Sequence, residues 1–213
     1  MTKHAGEGHK PSRTKLRVLD GQRGSTTVVE KTTEKTTGGS VLPVYDATVF
    51  VGLRTMVYEA AIERIENDGE HTIELPKMNE LVAAASVARC LMPVKLRGAE
   101  IKAMRRIMKM TLADLAAKLD GKTAAETVSR WESEAQPMGG YAEKVFRLLV
   151  CEELKDAAPG IDYKASILAH LIVLDPWKVD PNYQMPAVEL RLIQLKQQPS
   201  GSISEAWNAK TAA

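Results

Sequence analysis

Apolar positions follow two rhythms along the chain. Between residues 41 and 75 they fall in short runs: Val44, then Val49 to Val51, then residues 56–65, then residues 71–75. Short runs rich in β-branched and aromatic residues favour strands. Asn67, Asp68 and Gly69 separate the last two runs, and glycine supplies the positive φ of a tight turn, so a hairpin and a small antiparallel sheet are predicted. From Pro76 the spacing lengthens to the helical period. Leu81, Val82, Ala85 and Ala88 predict a helix over residues 77–91, opened by Pro76 and closed by Pro93. Helix then follows helix: Ile101, Met104, Ile107 and Met108; Leu112, Leu115, Ala116 and Leu119; Val128 and Trp131; and, past a break at residues 137–140, Val145, Leu148 and Leu149. Pro159 and Gly160 precede a fifth helix over residues 162–174, and residues 188–192 alternate as a strand. The stretch around Trp207 has no clear pattern.

These elements divide the chain into four parts. Residues 1–40 hold few large apolar groups and read as a disordered basic arm, carrying Lys10, Arg13, Lys15, Arg17 and Arg23, with a short strand at residues 26–30. Residues 41–95 form the small β unit with its helix, residues 96–158 the helical domain, and residues 159–213 a C-terminal helix and extension. The expected class is α+β: a small antiparallel β unit followed by a five-helix domain. At 213 residues and 44% apolar content the chain can bury a substantial core.

Net charge is uninformative, with 29 basic residues against 27 acidic, until it is mapped. Residues 95–122 hold eight basic residues (Lys95, Arg97, Lys102, Arg105, Arg106, Lys109, Lys118 and Lys122) against Glu100, Asp114 and Asp120. Such a concentration is the electrostatic footprint of a nucleic-acid partner. Cys90 and Cys151 both fall in apolar helical contexts, which suits packed thiols in a reducing compartment. No apolar run reaches the roughly 18 residues of a membrane helix and the N-terminus lacks a signal-peptide core, so a cytoplasmic protein without membrane contact is expected.

The chemistry concentrates in residues 110–132. Thr111 is a good N-cap, and Thr123 with Glu126 has capping-box spacing for a helix beginning at Ala124. Val128 and Trp131 define that helix's buried side, which turns Ala124, Ala125, Thr127 and Arg130 outward. Small residues at its start let backbone approach base edges, while Thr127, Ser129 and Arg130 offer hydrogen bonds to bases or phosphates. Lys102, Arg105, Arg106, Lys109 and Lys122 are candidates for phosphate neutralisation.

The run Thr127-Val-Ser-Arg-Trp-Glu132, with Leu115-Ala116 before it and Gln136-Pro-Met-Gly139 and Phe146-Arg-Leu-Leu149 after it, resembles the XRE helix-turn-helix of Cro and lambda repressor type, in the form found in MqsA-like antitoxins. The match spans residues 96–154. The resemblance implies a lambda-repressor-like fold whose third helix reads DNA through Ala124, Ala125, Thr127 and Arg130, with Thr111 near a phosphate. Two positions depart from the family. Leu112 stands where relatives have a DNA-contacting Gln, and the turn at residues 120–123 is about two residues longer. Upstream, residues 65–81 resemble the family's zinc-binding β unit; Gly69 survives there, but both sulfur positions are gone. Glu66, Asp68 and His71 make no tetrahedral set, so a metal-free sheet packed by apolar groups is expected.

Trp131 reads as core rather than a stacking residue, His71 and His170 as isolated structural residues, and Glu63, Glu66 and Asp68 as a solubilising edge. No phosphate-cradling loop, nucleophile elbow or metal motif appears, so neither enzyme activity nor a cofactor is expected. The expected function is a sequence-specific DNA-binding transcriptional regulator, a homodimer repressing from a palindromic operator in double-stranded DNA. The alternative is an antitoxin-like interaction protein whose β unit binds a toxin or other protein, with DNA binding secondary. A helix pair kept only as a scaffold is a third reading. Ile167, Leu171 and Ile172 on helix five are candidates for pairing two copies.

Overall fold

The computed structural model describes residues 15–19, 39–66, 69–196 and 203–209. Among these residues the fold is mixed α+β, with two four-stranded sheets and seven α-helices. The strand expected at residues 26–30 and most of the N-terminal arm lie outside the described residues.

The first sheet has the order β1-β6-β5-β2. Strands β5 (Ile62–Ile65) and β6 (His71–Pro76) form the predicted hairpin, and Gly69 takes φ +78° in its turn. β2 (Ser40–Val41) pairs with β5. β1 (Lys15–Leu19) lies parallel to β6, from Lys15 opposite Thr72 to Leu19 opposite Pro76. Lys15 and Arg17 therefore belong to a strand, not to the arm. Leu16 and Val18 carried the signal, a two-residue alternation inside a basic stretch.

The second sheet has the order β3-β4-β7-β8, formed by β3 (Val44–Asp46), β4 (Thr55–Tyr58), β7 (Val188–Lys196) and β8 (Ile203–Ala209). Residues 56–65, read as one strand, are divided between the sheets. Two residues, Leu42 and Pro43, face three, Glu59 to Ala61, between the pairs Val41–Ile62 and Val44–Tyr58. The extra residue is absorbed as a bulge, with Glu59 at φ 53°, and a bulge bends a strand. Val49, Phe50 and Val51, expected in a strand, lie in α1 (Thr48–Val51). Asp46 Oδ1 accepts the Thr48 N–H at 2.9 Å and Gly52 ends the turn at φ +75°, so local capping overrides β propensity. The expected antiparallel sheet is thus two mixed sheets: β4 and β7 also run parallel.

That pairing joins segments more than a hundred residues apart. β7 and β8 are antiparallel and pack on α2 (Met78–Leu91). The extension after residue 158 therefore completes the sheet of the β unit rather than standing apart. Trp207 is buried and donates its indole N–H to the Lys77 carbonyl at 3.3 Å, at the start of α2. Helix α2 is buried on nearly every side; Ala83, Ala84, Ala85 and Ala88 let β7, β8 and α6 (Gly140–Leu154) approach it closely.

The remaining helices are α3 (Gly98–Ile107), α4 (Leu112–Leu119), α5 (Ala125–Glu132), α6 and α7 (Ala165–His170). The fifth helix is shorter than residues 162–174, because the backbone after His170 leaves the helix and Leu174 bridges to Val94, donating to Pro93 O at 2.9 Å. Two buried arginines lace the segment after α2. Arg89 forks onto Glu100 at 2.6 and 2.9 Å and donates to Val94 O and Lys95 O. Arg147 binds Glu143 and donates to Cys90 O, Met92 O and Val94 O. Each guanidinium is matched by a carboxylate and carbonyls, which is what lets a charge sit at zero exposure. Among the described residues no helix is long and apolar enough to cross a membrane.

Candidate nucleic-acid interface

The α4–α5 pair is set by its caps. Thr111 Oγ1 accepts the Asp114 N–H at 3.1 Å and the Asp114 carboxylate accepts the Thr111 N–H at 2.9 Å, a reciprocal cap at the predicted residue. The Thr111 hydroxyl also donates to Asp114 at 2.7 Å, which commits it to the helix end. These bonds hold the Asp114 carboxyl below its ordinary value, the side-chain bond foremost. The turn closes on Asp120, whose Oδ1 accepts from the Lys122 and Thr123 backbones at 2.9 and 2.7 Å. Those backbone bonds lower the Asp120 pKa too, and Gly121 takes φ +66°.

Helix α5 is capped by Ala124, not Thr123, and no side chain caps it. The capping-box reading of Thr123 and Glu126 fails because Asp120 already holds the Thr123 N–H, which places Thr123 one residue before the cap. Val128 and Trp131 are buried as expected. Ala124, Ser129 and Arg130 are exposed, and Ala125 and Thr127 are half-buried. Glu126 is exposed as well. Opposite the buried pair on a helical wheel, it shares the outward face with Arg130, four residues on. Sequence reasoning assigned Glu126 to a cap, whereas it stands on the exposed face of the helix; its i,i+4 spacing to Arg130 was the available signal. A carboxylate there can accept from cytosine N4.

Half of the basic stretch is neutralised by acids that follow it in the chain. Arg105, a candidate for phosphate neutralisation, has its guanidinium engaged within the fold: it forks onto Glu132 at 2.6 and 3.0 Å and donates to Met110 O at 2.8 Å, joining α3, the α3–α4 loop and the end of α5. The Glu132 bonds hold its guanidinium more firmly protonated. Arg97 forks onto Glu134 at 2.8 and 2.6 Å, Lys95 faces Glu143 at 3.6 Å, and Lys118 pairs with Glu153. All four acids lie beyond residue 122, outside the basic stretch itself. Lys102, Arg106, Lys109 and Lys122 remain exposed, as does Arg130. Leu112, at the first turn of α4, is half-buried against the core.

Gly98 sets how closely α3 meets α5. A Cβ there would stand 2.4 Å from Glu132 O and 2.7 Å from Trp131 O. Glu134, at φ 60°, reaches back to accept the Gly98 N–H at 2.9 Å. Gly98 and Arg97 thereby fasten the α5 C-terminus to the α3 N-terminus, and Arg105 fastens it to the last turn of α3.

The histidines and cysteines have ordinary partners. His71 is not isolated: its Nδ1 lies 2.8 Å from Glu63 Oε1. Glu66 accepts from Thr72 at 3.1 Å, and Asp68 lies outside the described residues. His170 Nδ1 lies 2.8 Å from Ser166 O. Cys90 and Cys151 are buried free thiols, and burial, with Cys151 beside it, pushes the Cys90 thiol well above its ordinary value. Among the described residues no three His, Cys, Asp or Glu side chains converge as metal ligands. Comparison with family models, curated proteins and solved structures finds no match.

Proposed function

We propose that the chain is a sequence-specific DNA-binding regulator that places α5 in the major groove, with α3 to α7 serving as a five-helix domain of the XRE type. The observation that carries this reading is the α4–α5 pair. Its buried side is apolar, its outward face presents Glu126, Thr127, Ser129 and Arg130 behind small Ala124 and Ala125, and Lys102, Arg106, Lys109 and Lys122 are exposed on α3 and the adjoining turns. Base edges are read by the first group and phosphates neutralised by the second. Two copies bind an inverted repeat, because two-fold symmetry and the groove repeat then set half-sites about 10 bp apart or a multiple of that. Ile167 and Ile172, both more than half exposed, support α7 and the residues after it as the pairing face.

Selection of binding sites from random duplex DNA tests the reading. An enriched palindrome is expected. The double variant Thr127→Ala/Arg130→Ala should lose its preference for that site, since removing a hydrogen-bonded base pairing costs about 1–3 kcal/mol, while keeping its circular dichroism. Selection that enriches no sequence overturns the proposal.

A further inference from the structure

Where the two sheets meet, β3, α1, β5 and β6 leave an open cleft of about 590 Å³, within the roughly 300–1,000 Å³ typical of small-molecule sites. Its apolar wall includes Tyr45 of β3, Phe50 of α1 and Ile73 of β6. The Tyr45 and Phe50 rings are nearly parallel, at 20°, with centroids 6.4 Å apart. Three polar side chains reach the same space: Asp46, Glu63 and His71. Hydrogen bonds from Thr48, and to a smaller extent the charge of Arg54, keep the Asp46 carboxyl below its ordinary value, and the His71 ring holds one Glu63 oxygen in place. Among the described residues the lining holds no lysine or arginine.

We propose that this cleft binds a small organic cation, an amine or guanidine carried on a flat apolar body, with the body against Tyr45 and Phe50 and the charge toward Asp46 and Glu63. Electrostatics choose among ligand classes. An anion would meet two carboxylates with no Lys or Arg among the described lining residues, and Arg54, which acts on Asp46, stands outside that lining. A neutral apolar ligand would strip water from both carboxylates and return nothing. A cation offsets that desolvation and is further attracted by the faces of the two rings. None of the lining residues belongs to α3 to α6, so the site stands or falls independently of DNA reading.

The experiment titrates the full chain, without DNA, with tryptamine, indole and indole-3-acetate, three probes sharing one ring and differing in charge. Calorimetry should show saturable one-site binding of tryptamine, at least about tenfold tighter than of the other two. Asp46→Asn and Glu63→Gln keep a hydrogen-bond acceptor and should each weaken tryptamine about tenfold. Val49 stands at the rim 88% exposed, so its charge can be changed without disturbing the fold. Val49→Lys should weaken tryptamine and Val49→Glu strengthen it, with an unchanged melting temperature. Non-saturable tryptamine binding, equal affinity for the anion, or indifference to the Val49 pair overturns the proposal. A cleft that instead receives a segment of a partner protein gives the first of these results.

Discussion

Arg105 and Gly98 carry more of the helix arrangement than their size or charge suggests. Arg105 holds three elements through one planar group, and lysine cannot reproduce that fork. Arg105→Lys should therefore cost about 1.5–3 kcal/mol in denaturant unfolding, the scale of a hydrogen bond to a charged group. On the proposed DNA-binding function, it should leave the salt dependence of binding unchanged. Arg106→Ala should do the reverse, lowering the salt slope by about 1 with little loss of stability. Gly98→Ala puts a methyl group against the Glu132 and Trp131 carbonyls and should cost about 1–3 kcal/mol by forcing α3 from α5. A Gly98→Ala chain as stable as its parent would show that the two helices can separate freely.

At the scale of elements, the α4–α5 pair depends on two exposed carboxylates. Asp114 and Asp120 both have their pKa values lowered by hydrogen bonds made in the folded chain. The stabilisation they supply is complete above the unfolded aspartate value, about 4, and is lost as pH falls through their lower folded values. The α4 and α5 ends should therefore loosen in acid, seen as faster amide exchange at residues 111–127 below about pH 4. Thr111→Ala should cost about 1 kcal/mol at neutral pH, the usual effect of losing an N-cap hydroxyl. It should also make the Asp114 titration, followed by NMR, move back toward the ordinary value.

At the scale of the molecule, β4 is the hinge of the architecture. It binds β3 of the early chain on one edge and β7 of the late chain on the other. Leu190 and Trp207, from the late hairpin, are fully buried against the rest. Trp207→Ala should cost about 3–5 kcal/mol. A chain ending before β7 should expose α2 and lose the cooperative unfolding transition of the β unit. If that truncated chain unfolds cooperatively with an unchanged midpoint, β7 and β8 are an accessory rather than part of the core.

The sequence alone determined what depends on near neighbours. The helix periods, the Thr111 cap, the hairpin around Gly69 and the burial of Val128 and Trp131 all arise from interactions within a few residues, where spacing and side-chain type leave few alternatives. Tertiary structure decided what depends on distant pairing. The 56–65 run divides between sheets because a bulge is set by register against residues 41–44. The partners of Arg105, Arg97, Lys95 and Lys118 lie 27 to 48 residues further along the chain, beyond the reach of any local charge balance. The parallel partner of β4, β7, lies more than a hundred residues away. Parallel pairing leaves no turn signal between its strands, as an antiparallel hairpin does, so only the folded chain shows that β4 and β7 share one sheet.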